Sequence, residues 1–369
     1  MTRIVYGIAG EGSGHSSRAR EVLPHLFAQG HEVRAVSYDR GYRNLCDDFD
    51  VFETEGLHIT TQDNRVHYLR TFVDNLRRAP GGIQKLRALR QELFRDFRPH
   101  CVITDFEPMT AYLALVNDLP LITLDNQHRM RYMRYPCPMR LRRDALVTET
   151  VIRAMVPRPS VSLITTFYFG PLKNERSFLF PPILRREVRE MQPGQGEHVL
   201  VYSTQAFETL LEVLKDFPRE RFLVYGSDRA EGEETPFHFR GFSYEGFLND
   251  LATAKAVIST AGFSLMTESI HLGKPMLAVP MRGQFEQELN ALLLEDAGYG
   301  MNGRDLDART VESFLYRLPD YQEALAGYRP SDNLELLTKL DELVENDARR
   351  ARDYHVSRQR RESPQTTSE

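Results

Sequence analysis

The sequence predicts an α/β protein made of two doubly wound halves that face each other across a cleft. Three observations lead there. Short runs rich in Val and Ile, bounded by turn residues, alternate with helical patterns, which is the signature of buried parallel strands joined by crossover helices. The series occurs twice, separated by one Pro- and Gly-punctuated charged stretch, "FPPILRREVREMQPGQGE" at 180–197. The length of 369 residues is that of two ordinary domains.

In the first half the strand candidates are "RIVYGIA" (3–9), "HEVRAVSY" (31–38), "CVITDF" (101–106), "PLITLDN" (120–126) and "VSLITTFYF" (161–169), with helical stretches at 16–29 and 83–98. In the second they are "HVLVYST" (198–204), "RFLVYGS" (221–227), "FHFRGF" (237–242), "AVIST" (256–260) and "PMLAVP" (275–280). The expected organisation is a Rossmann-like domain over 1–180, a linker over 181–197, a second Rossmann-like domain over 198–345 and a polar tail over 346–369 that frays into disorder. A ligand belongs in the cleft, where strands end.

Composition narrows the class. Hydrophobic residues are 41% and charged residues 27%, enough to bury a real core. The three cysteines, Cys46, Cys101 and Cys137, lack metal-ligand spacing and cannot all pair, so a reducing compartment is expected. No apolar run approaches the roughly 20 residues of a membrane span, and "MTRIVYGIAG" does not have the order of a signal peptide. The expectation is a cytoplasmic protein. The net charge of −5 is unevenly spread: "HRMRYMRYPCPMRLRR" (128–143) holds six arginines and no acid, and 70–98 is also basic. These stretches read as solvated faces, or as a basic surface that meets anionic lipid at the inner face of a membrane or a phosphorylated acceptor. Nucleic acid is not expected as a partner, since the chain is acidic overall and has no recognisable nucleic-acid module.

The stretch "GIAGEGSGHSSRAREVLPHL" (7–26) allows two readings. A strand, glycines and a helix also open dinucleotide enzymes, and Asp39 sits where a ribose-binding carboxylate would be. The strict G-x-G-x-x-G pattern fails, however, because His15 stands at its third glycine. The alternative is a loop that leaves room for another ligand and presents a histidine.

"STAGFSLMTESIHLGKPMLAVPMRGQFEQELNALLLEDAGYG" (259–300) carries more. A strand ends at Thr260, Ala261-Gly262 lets backbone approach a bound group, and a helix starting near Phe263 or Ser264 would aim free N–H groups and its dipole at a diphosphate. Glu268, about one turn into that helix, can accept from ribose hydroxyls. Glu286, Gln287 and Asn290 follow the next strand and can grip sugar hydroxyls.

This block resembles the donor site of GT-B glycosyltransferases, in particular the lipid II N-acetylglucosaminyltransferase and the UDP-glycosyltransferases. Their Gly loop, E, G-x-P-x-x-x-x-P and D/Q-Q-x-x-N-A read here as Gly262, Glu268, "GKPMLAVP" (273–280) and "EQELNA" (286–291). The resemblance implies that Ser203, Thr204 and Gln205 face the donor diphosphate and that Phe242 and Ser243 hold the base. It departs at Thr260, where those families carry His or Arg, so positive charge must come from amides or from an arginine elsewhere. On the other side, Gly14-His15 and "GHEV" (30–33) resemble the loop of the histidine base, and "VITDFEP" (102–108) offers Asp105 as the aspartate that orients it. Gly12 and Gly14 would make room for an acceptor. "DNQH" (125–128) supplies Asn126 and His128 on the acceptor side, His128 being a second candidate base.

Across residues 1–300 the likeness is to the MurG-like, teichoic-acid-type branch. It implies an inverting glycosyltransferase that moves a sugar from a UDP-sugar to a hydroxyl of a glycan or lipid-linked acceptor, with no metal and no cofactor beyond the nucleotide sugar. A nucleotide-sugar 2-epimerase or a non-catalytic sugar-nucleotide binder are the alternatives.

Overall fold

The computed structural model describes the chain apart from residues 55–60, 63–64, 67–86, 88, 203–206, 228, 230, 242, 330–331 and 363–369. Of the expected donor residues, Ser203, Thr204, Gln205 and Phe242 lie outside the described residues, as does most of the basic stretch at 70–98.

The first half contributes β1 (Arg3–Ile8), α1 (Gly14–Ala28), β2 (Glu32–Ser37), β3 (Val51–Glu53), β4 (Cys101–Asp105), α2 (Pro108–Val116), β5 (Leu121–Asp125), α3 (Arg129–Tyr132), α4 (Arg142–Met155), β6 (Val161–Thr165) and β7 (Ser177–Phe180). Its strands form one sheet in the order β3-β2-β1-β4-β5-β6-β7, every neighbouring pair parallel. The second half contributes β8 (His198–Tyr202), β9 (Arg221–Tyr225), β10 (Gly232–Glu234), β11 (Phe237–Phe239), β12 (Ala256–Ser259), α5 (Phe263–His271), β13 (Met276–Ala278), α6 (Phe285–Asp296) and β14 (Gly300–Asn302). Its sheet runs β10-β11-β9-β8-β12-β13-β14, and only the β10–β11 pair is antiparallel. The chain is therefore two doubly wound α/β units, as the alternation of strand and helix requires.

Register places the chemistry. Ile8 lies opposite Asp105 at the carboxyl ends of β1 and β4, and the Ala9 amide donates to the Asp105 carbonyl at 3.0 Å. The loop that follows β1 and the turn that follows β4 are thus side by side. Alternation along the strands splits the core: Ile4, Tyr6 and Ile8 pack under α1 with Val22, Leu23 and Leu26, while Val5 and Val102 face Ala111 and Ala114 of α2.

The carboxy-terminal segment departs from the expectation of a polar, disordered tail from residue 346. It forms α7 (Leu334–Glu362), a helix broken at Glu345–Ala348, where Asn346, Asp347 and Ala348 take left-handed backbone angles. The helix belongs to the first half, not the second: Leu336, Leu337, Leu340, Leu343 and Val344, then Ala348 and Ala351, pack into the core beneath β1 and α1. At the break the Val344 carbonyl is capped by the Thr2 hydroxyl at 2.6 Å. Beyond it His355 bridges Ser160 and Asp118, at 3.0 Å to each. The apolar stripe is interrupted by so many charges that composition hides it, while the 3.6-residue period keeps it on one face.

The two halves also share a core. Met130, Met133, Leu141, Ile152 and Phe167 of the first half join Phe263, Met266, Phe285 and Leu289 of the second in one apolar cluster. Leu340→Ala should cost about 2–5 kcal/mol of unfolding free energy in urea. Val356→Ala, at a half-exposed site on the same helix, should stay within about 0.5 kcal/mol.

Candidate active site

The loop between β1 and α1 carries Gly12 at φ 74, a conformation that only glycine adopts without strain. It delivers Gly14 and His15 to the start of α1, whose Ser13 N-cap makes no side-chain capping bond. His15 Nδ1 lies 2.7 Å from Asp105 Oδ1, and Arg18, one turn along α1, closes on the same carboxylate with Nε at 2.7 Å from Oδ2 and Nη2 at 2.7 Å from Oδ1. Asp105 is fully buried, and its side chain is the acceptor of a two-pronged guanidinium fork. Burial disfavours charge on both partners. Even so, Arg18 and then His15 hold the Asp105 carboxyl below the ordinary carboxylate range, and Asp105 holds Arg18 above its own. An ionised carboxylate can only accept, so His15 donates from Nδ1 and its lone pair lies on Nε2. The imidazole is 12% exposed, the carboxylate behind it 0%.

The turn after β4 is held from beneath. Phe106 takes a left-handed φ of 58°, and the buried Glu107 carboxylate accepts from the amides of Met109 at 2.8 Å and Thr110 at 2.7 Å. That is a capping arrangement at the first turn of α2. Burial pushes the Glu107 carboxyl up, while its bonds to Thr110 and Met109 pull the other way.

A second His–Asp pair sits after β5. Asp125 Oδ1 accepts from the His128 amide at 2.8 Å, and Oδ2 is 2.7 Å from His128 Nδ1. Both side chains are at 0% exposure, and the imidazole stacks on Tyr132 with centroids 5.6 Å apart. His128 therefore reaches no solvent, whereas His15 does. The turn points Asn126 across the cleft, where its amide donates to Glu286 Oε1 at 2.7 Å.

On the opposite wall, β12 ends at Ser259 and the chain turns through Thr260, Ala261 and Gly262 into α5. Gly262 is the N-cap of α5 and supplies no side chain, so the helix start is uncapped. The two loops meet there: Gly14 lies so close to the Ser264 hydroxyl that a side-chain carbon at position 14 would overlap it. Gly14, expected to make room for an acceptor, makes room instead for the other domain. The cleft is then bounded by the amino ends of α1 and α5, two positive dipole ends brought together.

Behind this edge the expected donor residues are placed as follows. Asn290, fully buried, donates from Nδ2 to the Ala261 carbonyl at 2.7 Å and so fixes the loop. Gln287 Oε1 accepts from the Met281 amide at 3.0 Å and fixes the next one. Ser243 caps the helix Tyr244–Thr253 by accepting from the Gly246 amide at 3.2 Å. Glu268 is nearly buried, and its Oε2 accepts from Arg185 Nη2 at 2.7 Å; burial pushes the carboxyl up, with Arg185 acting against it. Arg185 also lies over the Tyr244 ring, 5.1 Å from its centroid.

Three arginines of this site do not stand out in the sequence: Arg18, Arg129 and Arg185. Arg18 is four residues after Gly14, on the same helix face as the loop it supports, and that spacing is the available signal. Arg129 and Arg185 reach the site only through the meeting of the halves. The basic stretch at 128–143 is accordingly not one solvated face. Arg129 is fully buried, and Arg140 pairs with Glu288 at 2.9 Å, while Met139, Arg142 and Arg143 remain exposed. Among the described residues, no helix is long and apolar enough to cross a membrane.

Comparison with known proteins agrees with this architecture. Residues 2–319 match the protein-family model described as glycosyl transferase family 1. An uncharacterized glycosyltransferase of Methanosarcina mazei is 25% identical over 334 residues, 81% of this chain and 84% of the relative. Among solved structures, the glycotransferase of kitacinnamycin superposes with a TM-score of 0.63 at 17% identity, over 97% of this chain and 98% of that one. The Streptomyces sp. SF2575 glycosyltransferase SsfS6, solved with thymidine diphosphate, gives 0.54 at 15% identity, over 93% and 100%. At these identities the structural likeness is one of fold.

Asp105→Ala should destabilise the protein by about 3–5 kcal/mol, because it strands the buried Arg18 guanidinium. The double variant Arg18→Leu/Asp105→Leu should recover a large part of that loss in urea titration. The sign of the pH effect follows from the depressed carboxyl. The stability that Asp105 contributes is complete above about pH 4, the unfolded value, and is lost as pH falls through the lower native value. The gap in stability between wild type and Asp105→Ala should therefore narrow in acid.

Proposed function

The chain belongs to glycosyl transferase family 1, and from that premise we propose that it takes a sugar from a nucleotide-sugar donor and transfers it with inversion to a hydroxyl, with His15 as the base. The carrying observation is the His15–Asp105 pair, at 2.7 Å, at the loop whose Gly14 lies against Ser264 at the uncapped start of α5. One side of the cleft can take a proton and the other can hold an anion.

His15 Nε2 accepts the proton of the acceptor hydroxyl as that oxygen bonds to the anomeric carbon. The bond from that carbon to the donor diphosphate breaks on the opposite face, and its electron pair leaves with the diphosphate. Asp105 keeps the imidazole in the right tautomer and stabilises the imidazolium, which later gives its proton to solvent. The amides at the start of α5 and its dipole favour the charge that develops on the leaving group. Single displacement at one face inverts the anomeric configuration.

The donor reading is a pyrimidine nucleoside diphosphate sugar, UDP-linked. Glu268 would accept from the ribose hydroxyls, with Arg185 holding its Oε2 in place, and Glu286 and Gln287 would lie towards the sugar. No metal is assigned, since guanidinium, amide and dipole supply the positive field. The acceptor reading is a glycan or lipid-linked hydroxyl. Its support is the exposed pair Met139 and Leu146, close in sequence to the exposed Arg142 and Arg143.

His15→Ala should lower kcat by roughly 100- to 10,000-fold and leave UDP affinity in calorimetry unchanged; unchanged turnover would remove His15 from the role of base. Glu268→Ala should weaken UDP binding by about 1–3 kcal/mol, with thymidine diphosphate as the competing ligand in the same titration. Arg142→Gln/Arg143→Gln should reduce flotation with anionic vesicles, and indifference to those changes would remove the lipid surface.

A further inference from the structure

Arg129 is the first residue of α3, in the first half of the chain, yet its guanidinium lies against the second half. It is at 0% exposure. Nη2 donates to Asn290 Oδ1, and the guanidinium lies 4.9 Å from the centroid of Phe263, the first residue of α5. Asn290 in turn is bonded to the Ala261 carbonyl at 2.7 Å, so the arginine is one side chain away from the loop that starts α5. Its other nitrogens, Nε and Nη1, have no acceptor among the described residues, although both are buried.

A buried guanidinium with two idle donor groups is costly unless an anion completes it. Burial pulls Arg129 down to about 10, and Glu286 is the carboxylate whose field opposes that. The Glu286 Oε1 is itself taken by Asn126, at 2.7 Å. Nothing in the loop 259–264 is cationic, and α5 begins on an uncapped glycine. One wall thus offers an uncapped helix start without a cation, and the other offers a cation without an anion.

We infer that Arg129 is a ligand of the donor diphosphate, reaching from the acceptor domain to bring its free N–H groups, on Nε and Nη1, to the phosphate oxygens at the start of α5. This rests on the donor reading above and adds a residue to it. A guanidinium keeps its charge and offers several fixed donors, and its hydrogen bonds to phosphate gain most where water is excluded. As the anomeric bond breaks, the electron pair passes to the diphosphate, and Arg129 meets the added negative charge without reorganising. The Asp125–His128 pair then has a clear purpose, since it locks the turn that sends residue 129 inward. Because the cation and the helix belong to different domains, the diphosphate also ties the halves together, and a nucleoside without phosphates does not.

The test is calorimetry on the full-length protein with UDP, inorganic pyrophosphate and uridine, for wild type, Arg129→Met and Arg129→Lys. The expected result is a loss of about 10- to 100-fold in affinity for UDP and pyrophosphate in Arg129→Met, with uridine changed by less than about 2-fold. Arg129→Lys should restore part of the loss, since it keeps the charge and not the planar set of donors. The retained uridine affinity serves as the check that Arg129→Met is folded. Equal weakening of UDP and uridine would mean a structural role and overturn the inference, as would UDP affinity unchanged from wild type. Wild-type protein that binds none of the three would overturn the donor reading as well.

Discussion

The Asp105 carboxylate is the point on which the site depends. It is buried at the end of β4, takes both prongs of the Arg18 guanidinium and holds His15 at 2.7 Å. Each partner explains another. Without Arg18 the buried charge would be too costly to keep ionised, and without an ionised Asp105 the imidazole would have no fixed tautomer. The parallel register that sets Ile8 beside Asp105 puts the loop of β1 next to this charge, so the geometry of the sheet delivers the chemistry.

The second constraint is the closed seam between the halves. Asn126 with Glu286, Arg129 with Asn290, Arg140 with Glu288 and Arg185 with Glu268 cross it or its linker, beside the apolar cluster of Met130, Met133 and Phe167 with Phe263 and Phe285. Buried pairs of this type give register more than net stability. They hold the amino ends of α1 and α5 opposite each other, an arrangement that like dipole ends alone would oppose. An anion between them turns that opposition into attraction, which is why the seam and the proposed diphosphate site are two aspects of one arrangement.

Much of this is legible in the sequence. Val- and Ile-rich runs at regular spacing specify two doubly wound units, and polar residues at strand ends mark His15, Asp105, Glu268 and Asn290 as neighbours of a cleft. What the sequence hides is long-range. Arg129 and Arg185 look like members of charged surface stretches, and only the docking of the halves buries one and pairs the other. Gly14 reads as space for a ligand until Ser264 of the other half is seen against it. The segment from residue 346 reads as a polar tail because Arg, Asp and Glu surround the few residues, Ala348, Ala351 and Tyr354, that it packs into the core of the first half.

The central claim is a single displacement at one face, with a base on the acceptor side and a diphosphate held on the other. Proton NMR of the product as it forms, from a nucleotide sugar that the enzyme turns over, reads this directly through the coupling of the anomeric proton. The predicted result is an anomeric configuration opposite to that of the donor. A product that retains the donor's configuration would contradict the claim, because His15 acting as the base of one displacement cannot give that outcome.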